Sequence, residues 1–540
     1  VTSAEERPET GPPSPGAPGD GGPATGAAVG GAFGRALVAG VRAAGAREVL
    51  VRGTRRLTGE QVFADAHALA ARLVEHGVQP GDTVACLYGP NLESTISRLA
   101  AYILGCPYVY LLPRMPLEDV DRALRRFPVP VLLVDPSRRQ HAEALTAAGF
   151  GNPCLYLEPE QVTGRRTDPS PSAQARPEAL ASVIFSSGTT GAAKAIAYTN
   201  HAEAAQFATA LAAYGPSPWR LLVAPGPFLP DLMAQWALAT GGTAILAEDD
   251  HAATMTGLIR RERVRQCEIG RPAVLYALAD HLAATGSDLG ELRLLLYGGT
   301  PVVPARLAAI AEQIPDVLMQ NYGSSEAALI ATLSPADHRR RELLGSVGRP
   351  APHMQTKICA PDGTPLPPGH VGQLWVRSAQ NMAGYIDLAT GTPSDQPGVA
   401  IADRLGVLAD GQPEWLPTGD AAHLDEDGYL FLAGRLTERL PSGAYPQPLE
   451  NCISEHPAVI EAAVYALPDG ATAVAVVPRA GHTTSLADLH AHLHRSHPAS
   501  THPQHLRLTD ALPRTPGGKL DREALQRLHP AHGRPAEKGE

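Results

Sequence analysis

Nothing in this sequence approaches about 18 consecutive apolar residues, so no segment has the length and hydrophobicity of a membrane-spanning helix. Cysteine is sparse. Cys86, Cys106, Cys154, Cys267, Cys359 and Cys452 are scattered, with no Cys-x-x-Cys pair and no zinc-site spacing. In a chain of 540 residues that pattern argues against a disulfide framework and for a reduced, cytoplasmic protein. The first residues lack the basic-then-apolar layout of a secretory signal. Positive charge is short as well: Lys and Arg total 45 against 55 acidic residues, the formal net charge is −10, and no basic stripe stands out. Nucleic acid is therefore not expected as a partner. No internal repeat of about 20 to 50 residues is present, which argues against a solenoid or propeller.

What remains is an ordinary globular composition, 44% hydrophobic and 19% charged, long enough for several domains. Residues 1–30 are rich in Pro, Gly, Ala and Ser and cannot bury enough apolar surface to order themselves, so a disordered tail is expected. Helix, turn and strand signals then alternate. Thr58 and Gln61 have capping-box spacing. Val62, Ala66, Leu69 and Leu73 recur at helical period, and Gly77 can end that helix. Pro80-Gly81-Asp82 turns the chain into an apolar run, Thr83 to Tyr88, suited to a buried strand. Repetition of this unit predicts an α/β architecture with mainly parallel sheets and helices. A polar, Pro-rich stretch from about Val162 to Pro177 reads as an exposed loop. Near Gly434 the texture changes. Val459–Leu467 and Ala471–Val477 flank Pro468-Asp469-Gly470 as strand, turn and strand, and a helix follows over Ser485–His494. The expected units are a tail at 1–30, a large domain at 31–434, a small α+β domain at 435–530 and a short tail at 531–540.

Four segments carry chemistry. Ser186-Ser187-Gly188-Thr189-Thr190-Gly191-Ala192-Ala193-Lys194 follows an apolar strand signal. Glycines let backbone N–H groups turn towards an anion, hydroxyls add donors, and one lysine adds charge. It is not a Walker A loop, because Gly188 and Gly191 are two residues apart and Lys194 comes later. By itself it reads equally well as a surface loop. In Asn321-Tyr322-Gly323-Ser324-Ser325-Glu326 a tyrosine offers a stacking face, a serine can donate to a phosphate, and a glutamate can hold Mg²⁺. Thr418-Gly419-Asp420 precedes Asp427-Gly428-Tyr429 and Gly434-Arg435. There a carboxylate can accept ribose hydroxyls and an arginine can present its planar fork, while Asp427-Gly428 is also a hairpin-turn signal. Pro513-Arg514-Thr515-Pro516-Gly517-Gly518-Lys519-Leu520-Asp521-Arg522 places a lysine on a Gly-Pro loop near the C-terminus.

In this order and spacing the four segments resemble the adenylate-forming superfamily of acyl-CoA synthetases, nonribosomal-peptide adenylation domains and luciferases, over residues 45 to 527. Gln79-Pro80-Gly81-Asp82, Tyr297-Gly298-Gly299-Thr300-Pro301, Gly345-Ser346-Val347-Gly348-Arg349-Pro350 and Gly372-Gln373-Leu374-Trp375-Val376-Arg377 agree with it. The layout is nearest to acyl/aryl-CoA ligases. The resemblance implies an ATP- and Mg²⁺-dependent ligase that converts a small carboxylic acid to its AMP ester, releases pyrophosphate, and passes the acyl group to the thiol of coenzyme A or of phosphopantetheine on an acyl carrier protein. It implies that Ser186 to Lys194 wrap the β- and γ-phosphates. Tyr322 would stack on adenine beside Gly299, Thr300, Asn321 and Gly323. Ser325 would touch the α-phosphate, Glu326 would bind Mg²⁺, Asp420 and Arg435 would hold the ribose, and Lys519 would bridge the carboxylate and the α-phosphate. It also implies a mobile C-terminal lid with its hinge at Thr437.

The sequence departs from the family in two places. After Leu440, in the segment that lines the thiol tunnel, Gly443 matches, but a lysine is replaced by Pro441 and a basic residue by Tyr445. On the acid side, Ala224 to Asp231 shows no acid directly after Phe228, which disfavours an α-amino acid, and it holds no histidine. Phe228, Asp231, Tyr297 and Gly298 are the candidate substrate contacts, with Asp231 equally suited to cap a helix. A changed tunnel would also suit a non-thiol acceptor, as in an amine ligase or an ATP-dependent diazotase that activates nitrite. A non-catalytic scaffold would be expected to lose some of Lys194, Glu326, Asp420, Arg435 and Lys519, and all five are present. His490, His492, His494, His497, His502 and His505 crowd one stretch, read here as a solvated helix face rather than a metal site.

Overall fold

The structure, a computed structural model, describes residues 31–529 apart from 90, 113–114, 128, 159–175, 188–192, 216–219, 227–228, 315, 387, 389–402, 405–413, 480 and 516–518. The two expected tails and most of the Val162 to Pro177 stretch lie outside the described residues.

The first predicted unit forms as its sequence dictates. Thr58 caps the helix Gly59–Glu75: its hydroxyl accepts the Gln61 N–H at 3.2 Å while the Gln61 side chain accepts the Thr58 N–H at 2.8 Å. Val62, Ala66, Leu69 and Leu73 are all fully buried along one face. Gly77 takes a positive φ just past the end, the Asp82 N–H closes the following turn on the Gln79 carbonyl, and the strand Val84–Leu87 is buried throughout. That strand has parallel partners on both sides, Tyr108–Leu111 and Leu132–Val134, so both faces are covered and its apolar run needs no alternation.

Repetition of the unit builds two large sheets from the described residues. One orders Arg349–Pro350, Ala328–Leu333, Leu318–Ser324, Leu294–Gly298, Gln266–Glu268, Arg220–Val223, Thr243–Leu246, Glu48–Arg52 and Arg55–Thr58; its middle is parallel and its edges antiparallel. The other runs from Asp403–Arg404 and Gly384–Ile386 through Ala193–Thr199 and Leu180–Ser187 into the parallel strands Tyr108–Leu111, Val84–Leu87, Leu132–Val134 and Cys154–Tyr156. Helices lie between them. One apolar cluster joins Leu37, Leu69, Leu99 and Met233 on helices to Leu221, Val223 and Leu296 of the first sheet and Cys86, Tyr110 and Ile184 of the second. Separate clusters cover the outer faces. A four-stranded antiparallel sheet, Gln355–Cys359, Gly372–Arg377, Leu416–Leu424 and Leu430–Arg435, follows, and Gly428 at positive φ turns its last hairpin as Asp427-Gly428 predicts.

Past Arg435 the core is new. Leu440, Leu449, Ile453, Val464, Val474 and Leu489 form one cluster, and Tyr465, Leu512 and Leu525 belong to another. Here the strands Val459–Ala466 and Thr472–Pro478 flank Gly470, with His505–Leu508 added in parallel. Ser485 caps the helix Leu486–Leu493 in a capping box with Asp488. The protein is thus a large parallel-sheet α/β domain followed by a smaller α+β one.

Candidate active site

The C-terminal edge of the nine-stranded sheet gathers the predicted residues. Gly298 ends one strand and Asn321 pairs with it on the next. A Cβ at Gly298 would stand 2.1 Å from the Asn321 carbonyl oxygen, so only glycine permits this approach. Gly299 then turns at φ +77 into open space, followed by half-buried Thr300. Leu318–Ser324 and Ala328–Leu333 form a hairpin whose turn is Ser325-Glu326-Ala327. The Ser324 hydroxyl accepts the N–H groups of Glu326 and Ala327, and a Cβ at Gly323 would collide with the Ala328 carbonyl at 2.0 Å.

Tyr322 reaches from this hairpin to the four-stranded sheet, where its hydroxyl donates to Asp420 Oδ2 at 2.5 Å. Arg435, opposite Asp420 on the neighbouring strand, stands 3.1 Å from Oδ1 and also donates to the Thr418 carbonyl at 3.1 Å. Burial pushes the Asp420 carboxyl above its usual range, while Arg435, the Tyr322 hydrogen bond and the charge of Lys519 pull it back. Lys519 is exposed, on a hairpin closed by its own carbonyl and the Thr515 N–H at 2.8 Å. The smaller domain therefore brings its lysine within electrostatic reach of Asp420. Burial, reinforced by Asp420, lifts the Tyr322 phenol well above its ordinary value.

The hydroxyl-rich loop enters from the second sheet. Leu180–Ser187 and Ala193–Thr199 pair antiparallel, with Ser186 opposite Lys194. Gly188, Thr189, Thr190 and Gly191 lie outside the described residues. Two side chains tie this hairpin to the Glu326 turn. Tyr198 donates its hydroxyl to the Ser325 carbonyl. Lys194 Nζ stands 5.3 Å from the ring centroid of Tyr385, whose hydroxyl donates to Glu326 Oε1 at 3.1 Å. Lys194, Tyr385 and Glu326 thus form one chain of contacts and Tyr322, Asp420 and Arg435 a second, the two carried by the same hairpin, with Lys519 of the smaller domain within electrostatic reach of Asp420.

Residues 38–386 match the AMP-binding enzyme family, and residues 448–519 match the AMP-binding enzyme C-terminal domain. The chain belongs to this family. Among its curated relatives, a feruloyl-CoA synthase of an Amycolatopsis species is 31% identical over 491 residues, 88% of this chain and 94% of its own. The fatty acid–[acyl-carrier-protein] ligase ScoC of Streptomyces coeruleorubidus is 28% identical over 505 residues, 88% and 92% of the two chains. Among solved structures, the amide bond synthetase McbA from Marinactinospora thermotolerans is 34% identical with a TM-score of 0.80, covering 93% of this chain and 100% of its own. The protein is an AMP-forming ligase of the adenylate-forming superfamily.

The substrate side of this AMP-binding enzyme corrects two sequence expectations. Tyr297 does not share a face with Gly298. Strand alternation turns it to the outer apolar cluster, where it is fully buried and its hydroxyl meets His338 Nε2 at 2.7 Å. Asp231 neither caps the helix Leu229–Ala239, in which it is the third residue, nor offers a free carboxylate. It is 1% exposed, and Thr95 donates to Oδ1 at 2.9 Å while Tyr110 and Gln235 donate to Oδ2 at 2.7 and 3.0 Å. Burial raises its pKa, against those donors and Arg98. Phe228 lies outside the described residues.

Asp231 belongs to a buried polar network that sequence reading missed. Arg98, 1% exposed, donates to the hydroxyls of Tyr110 and Tyr102 and pairs with Glu203 at 2.6 Å. Glu203 also accepts from Tyr102 and from Ser182, which lies on the strand leading to the hydroxyl-rich loop. Helix periodicity alone marks Arg98 and Glu203 as ordinary surface charges, and only their partners reveal the burial.

At the domain junction, exposed Thr437 sits in the short turn Leu436–Glu438 directly after Arg435. Glu438 Oε2 accepts the Arg435 N–H at 3.3 Å, and Oε1 stands 3.4 Å from Arg522, three residues beyond Lys519. Arg522 also pairs with buried Glu450 at 2.6 Å. Gly443 turns at φ +85 between Leu440 and Tyr445.

Three of the six crowded histidines serve the backbone. His490, His492 and His502 each bond a carbonyl through Nε2. Among the described residues one trio, Cys452, Glu455 and His492, has ligand-type atoms within 4.8 Å of one another, but both His492 nitrogens are already engaged, by the Cys452 carbonyl and by Arg495. No helix of the described residues is long and apolar enough to cross a membrane.

Proposed function

We propose that this AMP-binding enzyme adenylates a small carboxylic acid with ATP and then transfers the acyl group to a thiol, of coenzyme A or of a carrier-protein phosphopantetheine. The observation that carries the reading is the gathering of Glu326 with Lys194 and Tyr385, and of Asp420 with Tyr322, Arg435 and the charge of Lys519, around one hairpin of the large sheet.

In this reading Tyr322 stacks on adenine beside Gly299 and Thr300, and Asp420 with Arg435 holds the ribose hydroxyls. Ser186, Ser187 and Lys194 contact the outer phosphates, and Ser325 the α-phosphate. A carboxylate oxygen of the acid attacks the α-phosphorus, and the bond to the pyrophosphate oxygen breaks. Lys519 would reach the acid and α-phosphate oxygens, where negative charge gathers, and its positive charge would lower the barrier electrostatically. The Glu326 carboxylate fits a divalent cation: it is half-buried, held at Oε1 by the Tyr385 hydroxyl, and forms no ion pair among the described residues. Bound there, Mg²⁺ would neutralise phosphate charge. In the second half-reaction a thiolate attacks the carbonyl carbon and AMP leaves.

A second acceptor has specific support. Pro441 and Tyr445 stand in the tunnel segment where the family pattern is basic, and the structural neighbour at 34% identity is an amide bond synthetase. In that case an amine nitrogen attacks the carbonyl carbon, the C–O bond to AMP breaks, and the amine gives up a proton. One experiment tests both readings. ATP–pyrophosphate exchange over a panel of acids that includes nitrite should rise with a carboxylic acid. AMP release is then followed with coenzyme A or with an amine. Exchange with no carboxylic acid would refute adenylation; AMP release driven by an amine and indifferent to coenzyme A would refute the thiol.

A further inference from the structure

The turn Ser325-Glu326-Ala327 is held from outside at more points than a hairpin turn requires. Tyr198 donates its hydroxyl to the Ser325 carbonyl. The Met382 N–H donates to the Glu326 carbonyl at 2.7 Å. The side chain of fully buried Gln380 donates to the carbonyls of Ala327 and Leu329 at 3.0 and 2.5 Å. Ala328, the first residue after the turn, takes φ +54, a left-handed conformation that persists in a non-glycine residue where the surroundings enforce it. All of these contacts fix backbone. One reaches the Glu326 side chain: the Tyr385 hydroxyl, which donates to Oε1 at 3.1 Å. The other carboxylate oxygen, Oε2, has no hydrogen-bond partner among the described residues.

Tyr385 also meets the phosphate loop. The strand Gly384–Ile386 pairs with Ala193–Thr199 so that Tyr385 stands opposite Ile196. Alternation puts Lys194, two residues before Ile196, on the same face. Its Nζ lies 5.3 Å from the Tyr385 ring centroid, within the range of cation–π attraction. Tyr385 thus carries a cation on its ring and an anion on its hydroxyl, while Lys194 and Glu326 form no ion pair with each other. A direct pair would cancel two charges that the proposed ATP site uses separately, one for phosphate and one for Mg²⁺. The phenol gives each a partner without consuming its charge.

We infer that Tyr385 is a positioning residue: it fixes the Glu326 carboxylate for the divalent cation and, by taking Lys194 on its ring, keeps that lysine from pairing with the carboxylate. This rests on the reading of Glu326 as the Mg²⁺ ligand. Outer partners of this kind orient a metal ligand and set its affinity.

The test is a binding measurement. Calorimetry gives the affinity of the full-length enzyme for ATP in saturating Mg²⁺ and in EDTA, and the ratio of the two is the preference for the metal complex. In Tyr385→Phe, which keeps the ring and loses only the tether, that ratio should fall about 10-fold, with free-ATP affinity and melting temperature unchanged. Tyr385→Leu removes the ring as well. Lys194 is then drawn to Glu326, so the ratio should fall further and free-ATP affinity with it. Adding Lys194→Met to Tyr385→Leu should raise the ratio back towards the Tyr385→Phe value. Glu326→Gln is the control and should lower the ratio at least as far as Tyr385→Phe does. A Tyr385→Phe ratio equal to wild type, beside a lowered Glu326→Gln ratio, would overturn the inference and leave the metal reading standing. A Glu326→Gln ratio equal to wild type would refute the metal reading and the inference with it. Loss of both affinities by one common factor in Tyr385→Phe, together with a lower melting temperature, marks a purely structural tyrosine and overturns the inference. The expected ratios without any acid-driven pyrophosphate exchange would uphold Tyr385 and refute adenylation alone.

Discussion

Replacing Arg98 by methionine removes one charge from a buried pair and leaves the other. Glu203 would stay 3% exposed with no cation, keeping only hydroxyl donors from Ser182 and Tyr102. Breaking a buried pair in this one-sided way costs about 3–5 kcal/mol. The surviving hydroxyl bonds put the expected loss near the lower figure, about 3 kcal/mol. At about 2 °C per kcal/mol for a large domain, the melting temperature should fall by roughly 6 °C. The double variant Arg98→Met/Glu203→Leu removes the stranded charge along with its partner and should recover at least half of that loss. Thermal melts of wild type, both single variants and the double variant form the cycle. A fall below about 1 °C for Arg98→Met, or a double variant as unstable as the sum of the singles, would refute the pair as described.

Lys519→Ala should lower pyrophosphate exchange by about 10²–10³-fold or more while ATP affinity by calorimetry stays within about threefold, because in the proposed reaction the lysine acts on charge that develops during the chemical step. Gly298→Ala drives a Cβ to 2.1 Å from the Asn321 carbonyl; it should destabilise the large domain by about 2–4 kcal/mol in denaturant melts and weaken ATP binding. Asp420→Asn weakens the attraction for Arg435 and should raise the KM for ATP several-fold with a smaller change in kcat. Stability should also depend on pH through Glu268, which is 3% exposed and pairs with no arginine among the described residues. Its folded pKa of about 8 lies above its ordinary 4.5, so the folded form binds the proton more tightly. The associated stability, of order 5 kcal/mol, is full below about pH 4.5 and lost as pH rises through 8. Between pH 5 and 8 the melting temperature of wild type should drop more steeply than that of Glu268→Gln, and parallel curves would contradict the assignment.

Local rules carried the sequence far where structure is local. Thr58 and Gln61, and the glycines at 77, 428 and 470, each specify a cap or a turn within a few residues, and all form as expected. The chemistry-bearing segments were legible because backbone constraint concentrates glycine and small polar residues there. Side-chain direction was less legible. Tyr297 and Gly298 are neighbours in sequence, yet alternation sends one to the outer core and leaves the other at the strand end. Asp231 looked like a cap because a cap needs only its own helix, whereas its true partners, Thr95 and Tyr110, come from more than a hundred residues away. Glu268 carries no sequence signal except an acid in a short apolar strand before a glycine, and its isolation from arginine exists only in three dimensions.

The carboxylate of Glu438 spans the junction between the domains, with one oxygen on the Arg435 N–H and the other towards Arg522. It works as a clasp. Turning the smaller domain about Leu436 and Thr437 would carry Arg522 away from Arg435, and Glu438 could follow only one of them. The closed arrangement therefore has a release energy set by a partly exposed ion pair and one backbone hydrogen bond, on the order of 1–2 kcal/mol. A latch of that strength would hold the orientation of the two domains against thermal motion, yield to a modest turning force, and loosen as ionic strength rises.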